Sequence, residues 1–298
     1  MEWTNEKPWQ GLGVEIASHL SAREMSVKLQ LDWEVVKTPS QRPKSPANQE
    51  TFRFFKAYVE AADLRIESIG SLDDGRIIWA LVPLNEDFSL VDIDPVKGYL
   101  LMASRHENRQ SVEILFLTVR EVGHNMLQVP VKVRSTLKNI FRKQFTNTFP
   151  FLNQIPQKFD DAMNKKARDA IEAGRKAISA FASDAGRLAN HKVDDQTALR
   201  YFFDVFQPDV SSATPVIGEK EIEEKADDKT RNAVEALKNA PGQELETAHQ
   251  TAWGLLNAVT YTVDHHLGKN PDSRLRQAWF GTNAKTKKRA FELALELL

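Results

Sequence analysis

Apolar and polar positions divide this chain into a strand-rich first half and a helical second half. Leu64, Ile66 and Ser68 alternate with Arg65 and Glu67, and after Asp73-Asp74-Gly75 comes the apolar run Arg76–Leu84. Asp-Gly between two such runs is a hairpin signal. Lys97–Ser104 and Ser111–Val122 read as two more strands, joined by the polar stretch Arg105–Gln110. Short polar links favour antiparallel neighbours, because a parallel pair needs a crossover of about a dozen residues or more. The pattern predicts one four-stranded antiparallel sheet.

Helical spacing governs the remainder. Ser21 is the candidate cap of a short helix at Ala22–Leu29. Asn48 is the candidate cap of a helix to about Ala62, with Phe52, Phe55, Tyr58 and Val59 on its apolar side. Met163, Ala167, Ile171, Gly174, Ile178, Phe181, Ala185 and Leu188 then follow at steps of three and four, a heptad seam. Its small residues suit tight packing in the chain's own core, with self-association as the other use. Asp194 caps a predicted aromatic helix through Leu199, Phe202, Phe203 and Phe206, closed by Pro208. Val210–Gly218 reads as a linker and Glu219–Asn239 as one charged helix stopped by Pro241-Gly242. Gln243–Leu267 carries the seam Leu245, Ala248, Ala252, Leu255, Val259 and Val263, and a last helix spans about Asn283–Leu298. The fold class is α+β: a four-stranded antiparallel sheet with helices packed on it, followed by a largely helical C-terminal half. Residues 1–209 and 219–298 form its two regions, as separate units or as one continuous domain.

Composition narrows the chemistry. With 298 residues the chain needs no metal or disulfide staple to build a core. The absence of cysteine excludes disulfides, iron–sulfur clusters, thiolate zinc sites and cysteine nucleophiles, and fits a cytoplasmic setting. No run of 18 apolar residues occurs and Met1–Lys7 is polar, so neither a membrane span nor a signal peptide is expected. No phosphate loop, dinucleotide fingerprint, nucleophile elbow or HExxH pattern occurs, and no cofactor is expected. His265-His266 is the densest histidine cluster, but neighbours on a helix diverge by about 100°, which sets the two imidazoles apart. A hydrogen bond at the helix end is the simpler use of His265, with metal binding or general-base work as the alternative. Asp73-Asp74, Asp160-Asp161 and Asp194-Asp195 fit a turn and two helix starts.

The charge total of 40 Lys+Arg against 41 Asp+Glu conceals a lopsided distribution. Val122–Phe159 holds Lys132, Arg134, Lys138, Arg142, Lys143 and Lys158 with no Asp or Glu, and interleaves Phe141, Phe145, Phe149 and Phe151. Cations with interspersed rings make a surface that can track a phosphate backbone and stack unpaired bases. The same phenylalanines, four apart, would equally form the buried stripe of a helix. Lys285, Lys287, Lys288 and Arg289 add a second cluster at the start of the last helix, where the macrodipole disfavours cations and an anionic partner would relieve them.

Thr251-Ala-Trp-Gly-Leu-Leu-Asn-Ala-Val-Thr-Tyr-Thr-Val-Asp-His265, followed by Ala278-Trp-Phe-Gly-Thr-Asn-Ala-Lys285, is distinctive. So, in order, are Trp9-Gln-Gly-Leu-Gly-Val14, Leu31-Asp-Trp-Glu-Val-Val-Lys-Thr-Pro39, Gly70-Ser-Leu with Gly75-Arg76, Ile78-Trp-Ala-Leu81 and Tyr99-Leu-Leu. In combination these resemble the phage/plasmid-like family of prophage and plasmid proteins, long classed as a domain of unknown function, over nearly the whole chain. On the family's pattern stand Arg120 and Asn125 after the last strand, and Trp253, Asn257, Thr260, Asp264, His265, Trp279, Phe280 and Gly281 near the C-terminus. The family supplies no catalytic role to transfer. This chain departs from it in a short Ser40–Ala47 segment and in Gly123, where members often carry cysteine. Asn257 and Asp264, seven apart, share a helix face and could hydrogen-bond a loop across it.

The resemblance implies work on mobile DNA in a bacterial host cytoplasm. The first expectation is a non-enzymatic single-stranded-DNA-binding or strand-annealing accessory in recombination or replication. Its partners would be single-stranded DNA, further copies of itself, or a phage or host recombination or replication protein. A protein–protein module acting on a host factor is the alternative, supported by the two seams and by acidic Glu219–Glu246. A metal-dependent nuclease is the third, and it would need carboxylates that converge in space.

Overall fold

A computed structural model describes residues 3–16, 20–29, 46–105, 111–131, 159–214 and 218–298. Its sheet has seven strands: β1 (Gly13–Glu15), β2 (Ser68–Leu72), β3 (Ile77–Pro83), β4 (Phe88–Leu90), β5 (Asp94–Arg105), β6 (Ser111–Arg120) and β7 (Met126–Val129). All pairings are antiparallel, in the order β1-β2-β3-β5-β6-β7, with β4 pairing β5 beyond the end of β3. The four-strand expectation is therefore corrected. It captured β3, β5 and β6, while of the alternating stretch Leu64–Ser68 only Ser68 enters β2; β1, β4 and β7 are three or four residues long and too short to show a period of two. The β2–β3 hairpin turns through Asp73, Asp74 and Gly75, all at positive φ, a region Asp tolerates and Gly enters freely.

Helices α1 (Ala22–Lys28) and α2 (Pro46–Glu60) precede the main strands, and a capping box between Ser21 and Glu24 opens α1. Helix α2 starts at Pro46, two residues ahead of the expected Asn48 cap. The heptad seam becomes α3 (Asp161–Asn190), capped by Asp160, which buries Ala167, Ile171, Gly174, Ile178, Phe181, Ala185 and Leu188. A Cβ on Gly174 would lie 1.9 Å from the Phe116 ring of β6, so glycine lets this helix press onto the sheet. Asp194 caps α4 (Asp195–Phe206), and Pro208 then opens α5 (Pro208–Ala213), which turns the front of the expected linker into helix.

The single charged helix expected over Glu219–Asn239 is two, α6 (Glu219–Lys225) and α7 (Asp228–Asn239). Asp227 caps the second by accepting from Thr230 N at 2.8 Å, and Gln207 fixes the break by accepting from Asp227 N. The next helix begins later than expected, at α8 (Ala252–Tyr261) under a Thr251 cap, and widens into a π-turn over Thr262–His266. Helices α9 (Pro271–Phe280) and α10 (Thr282–Glu296) end the chain. The seam expected for α8 implied one apolar face, but every residue from Thr251 to His265 is buried. The helix lies among α3, α4, α7, α10 and β7, and a helix enclosed on all sides carries no solvent face.

One face of the sheet packs on α2, α3, α8 and α10 through a large core that includes Phe52, Leu100, Phe116, Phe181, Trp253 and Phe291. Phe181 sits 5.3 Å from Phe291 and 6.1 Å from Trp253, ring pairs that add about 0.5–1.5 kcal/mol each beyond their buried area. This core draws on residues before and after 215–217. The opposite face is covered by less: Trp9 from the N-terminal segment, and Leu275 and Trp279 from α9, over Trp79, Tyr99 and Leu117. Among the described residues no helix is long and apolar enough to cross a membrane.

Candidate functional site

Strand β6 ends at Arg120, and a tight turn with Gly123 and His124 at positive φ leads into β7 at Met126. This turn lies along α8 and is laced to it by buried polar contacts. At the N-terminal end of α8, Arg120 donates to both carboxylate oxygens of Asp94, from Nε at 2.7 Å and from Nη2 at 2.9 Å. Nη2 also donates to the Gly242 carbonyl at 2.8 Å. Asp94 Oδ2 accepts further bonds from Thr247 Oγ1 (2.8 Å) and Trp253 Nε1 (3.0 Å). A forked guanidinium matched to a carboxylate that also accepts from two neutral donors is the geometry in which a buried ion pair holds.

Midway along α8, Asn125 Nδ2 donates to Asn257 Oδ1 (2.8 Å) and Thr260 Oγ1 (2.6 Å), while Asn257 Nδ2 returns to the Trp253 carbonyl. A cavity of about 10 Å³ lies among Thr118, Arg120, Asn125, Trp253, Asn257 and Thr260. At the far end, the π-turn aims two consecutive side chains at the strand turn. Asp264 accepts from Met126 N at 2.6 Å and from Lys287 Nζ at 2.7 Å. His265 Nε2 lies 2.9 Å from the Gly123 carbonyl, which fixes the proton on Nε2. Burial pushes the His265 imidazole down to about 3, so it is neutral at physiological pH. His266 diverges from it to rest against Trp3 and Tyr261, and burial lowers it to about 4. Burial raises the Asp264 carboxyl, and Lys287 opposes the shift.

The structure thus gathers Arg120, Asn125, Trp253, Asn257, Thr260, Asp264 and His265 into one buried network. Asn257 and Asp264 do reach a loop from one helix face. Trp279 and Phe280 lie on the other side of the sheet, Trp279 packing 5.3 Å from Trp79 and donating to Met126 Sδ. Gly281 closes on Gln277, whose Oε1 an added Cβ would meet at 1.9 Å. Asp94, Thr247 and Gly242 were absent from the expected set. Asp94-Pro95 reads as loop, and its partners lie 26, 153 and 159 residues away.

The basic residues divide. Lys132, Arg134, Lys138, Arg142 and Lys143 lie outside the described residues. Lys285, Lys288 and Arg289 are exposed on α10. Lys287 is corrected: it is 2% exposed and bound to Asp264, so its ammonium does not face a ligand. The signal was in the spacing, because Lys287 lies three, four and seven residues before the buried Ala290, Phe291 and Ala294. Among the described residues no group of three or more His, Asp or Glu could hold a metal ion, so the nuclease reading has no ligand cluster there.

In this α+β protein a strand turn is held to a buried helix by hydrogen bonds of Asn125, Asp264 and His265, with a buried ion pair near each end of that helix. A family model described as a domain of unknown function, DUF932, matches residues 36–149 and 156–288, and the chain belongs to that family. No curated protein and no solved structure matches it.

Proposed function

We propose that the chain is a non-enzymatic single-stranded-DNA-binding or strand-annealing accessory that serves the recombination or replication of phage or plasmid DNA. One observation supports this most. Helix α10, which carries exposed Lys285, Lys288 and Arg289, packs against β7, and β7 ends three residues before Lys132, where the acid-free stretch gains its first cation. The chain therefore leaves β7 beside α10 and enters the acid-free stretch, whose cations lie outside the described residues. Each phosphate neutralised on a single strand contributes about −0.7 to the slope of log K against log salt, so eight cations in contact give a slope of about −5 to −6.

The test is fluorescence anisotropy of a labelled oligothymidine across a salt series. Binding at low salt that weakens steeply with salt is expected. Changing Lys132, Arg134, Lys138, Arg142 and Lys143 to Glu should abolish it, and Lys285→Glu with Lys288→Glu and Arg289→Glu should weaken it. Wild-type protein that leaves the oligonucleotide free at 50 mM salt, the order at which non-specific binding is strong, would defeat the proposal.

A second reading, a protein–protein module, has its own observation. Val91 and Ile93, 65% and 45% exposed, flank Asp92 at the tip of the β4–β5 hairpin, and Val91 is held at positive φ. A β-branched residue rarely adopts that conformation, and exposed apolar groups on a strained turn suit a contact with a partner. Under this reading the protein is indifferent to oligonucleotides.

A further inference from the structure

A guanidinium has five N–H donors in a fixed plane. In Arg120 the Nε proton and both Nη2 protons are accounted for by Asp94 and Gly242. Nη1 carries the other two, is shielded from solvent, and has no protein partner. Leaving a buried donor unmatched costs about 1–3 kcal/mol, and more for a charged group. Beside Arg120 lies the cavity of about 10 Å³, whose lining combines Thr118, Thr260, Asn125 and Asn257, which carry hydroxyl and carboxamide groups, with apolar side chains such as Phe181 and Leu256. That volume is close to the roughly 10–15 Å³ which one water requires, and its walls offer the two to four polar partners such a water needs.

We infer that this cavity is a binding site for one ordered internal water, which accepts from Arg120 Nη1 and donates to the hydroxyl and carboxamide oxygens around it. Two competing occupancies fail on physical grounds. Val96, Leu127, Phe181 and Leu256 give the cavity a largely apolar lining, but left dry it would strand the charged Nη1 donor of Arg120 without a partner. An anion such as chloride would add an unbalanced charge, because Asp94 already neutralises Arg120. The water then joins β6 and the β6–β7 turn, from before residues 215–217, to α8 from after them. It completes an ion pair that is otherwise one group short of full hydrogen bonding. This inference stands whether or not the protein binds DNA.

A high-resolution crystal structure grown with sodium bromide, together with oxygen-17 magnetic relaxation dispersion in solution, tests it. The expected result is one density peak within hydrogen-bond distance of Arg120 Nη1, without anomalous signal. Thr118→Ile, which fills the space with an added methyl group, should remove one long-lived water from the relaxation amplitude. Flat density in the wild-type cavity would overturn the inference, as would an anomalous bromide peak there. So would an unchanged amplitude in a folded Thr118→Ile protein. If that variant does not fold, the wild-type density alone decides.

Discussion

The two ends of α8 each hold a buried ion pair, and the two are built differently. At the N-terminal end, Asp94 takes four donors from Arg120, Thr247 and Trp253, in a fork geometry that fixes the plane of both groups. At the C-terminal end, Asp264 takes two, from Lys287 and Met126 N. A carboxylate keeps its charge in the interior only as far as donors replace the water it lost. Asp94 retains two neutral donors if its cation is removed, whereas Asp264 retains one and already has its carboxyl pushed upward by burial. The difference between arginine and lysine adds to this, since a point-like ammonium engages one oxygen where the fork engages two.

The comparison can be broken by removing each cation in turn. Arg120→Met should destabilise by about 3–5 kcal/mol, the range for uncovering a buried charge, because it orphans Asp94 and also frees the Gly242 carbonyl. Lys287→Met should cost less, about 2–4 kcal/mol near neutral pH, and that cost should shrink on mild acidification as Asp264 takes up a proton. Urea unfolding of both variants at pH 7.5 and pH 5.5 separates the cases. Equal costs with equal pH dependence would show that donor count does not distinguish the two ends.

Protonation of the π-turn gives a smaller effect with a definite sign. Burial holds His265 near 3 and His266 near 4, against 6.5 for an ordinary imidazole. Between those values the unfolded chain binds more protons than the folded one. Stability is therefore fully present above pH 6.5 and is lost as pH falls below it. Asp264 works the other way, because a raised carboxyl pKa favours the folded state on acidification, and it offsets part of the loss. The net expectation is a decrease of about 1–3 kcal/mol between pH 7 and pH 4.5. His265→Gln, which can still donate to the Gly123 carbonyl, should flatten the profile. An unchanged slope in that variant would exclude His265 as its source.

These particulars show what a sequence can and cannot display. The α3 seam was legible because a heptad sustained from Met163 to Leu188 leaves little room for another register. The hairpin at Asp73–Gly75 was legible because its turn chemistry is local. Strands β1, β4 and β7 were not, since three or four residues cannot establish alternation and depend on the neighbour they pair with. The network was half legible. The resemblance picked out Arg120, Asn125, Asn257, Thr260, Asp264 and His265, but gave neither the buried carboxylate that Arg120 serves nor the lysine that serves Asp264. Both omissions have one cause: a charged residue is read as solvated unless its partner is visible, and these partners are distant in sequence. The break at Asp227 was missed for a related reason, as a capping aspartate looks like any other acid in a charged helix until Gln207 fixes its backbone.

The smallest expected effect isolates Lys287 from its neighbours. Lys285, Lys288 and Arg289 share its helix and its charge, yet they are exposed, and Lys288 has only a solvent-facing contact with Glu292 at 3.6 Å. Exposed ion pairs of this kind contribute about 0–1 kcal/mol. Lys288→Glu or Arg289→Glu should therefore change unfolding stability by no more than about 0.5 kcal/mol, while lowering any affinity for oligothymidine. Lys287→Met should do the reverse, lowering stability and leaving oligonucleotide affinity unchanged in the protein that remains folded. Measuring both quantities on the same samples matters, because four cations within five residues behave as a single basic patch only if they face the same way. Helix α10 turns one of them inward to meet Asp264, so stability and binding should respond to different members of the cluster.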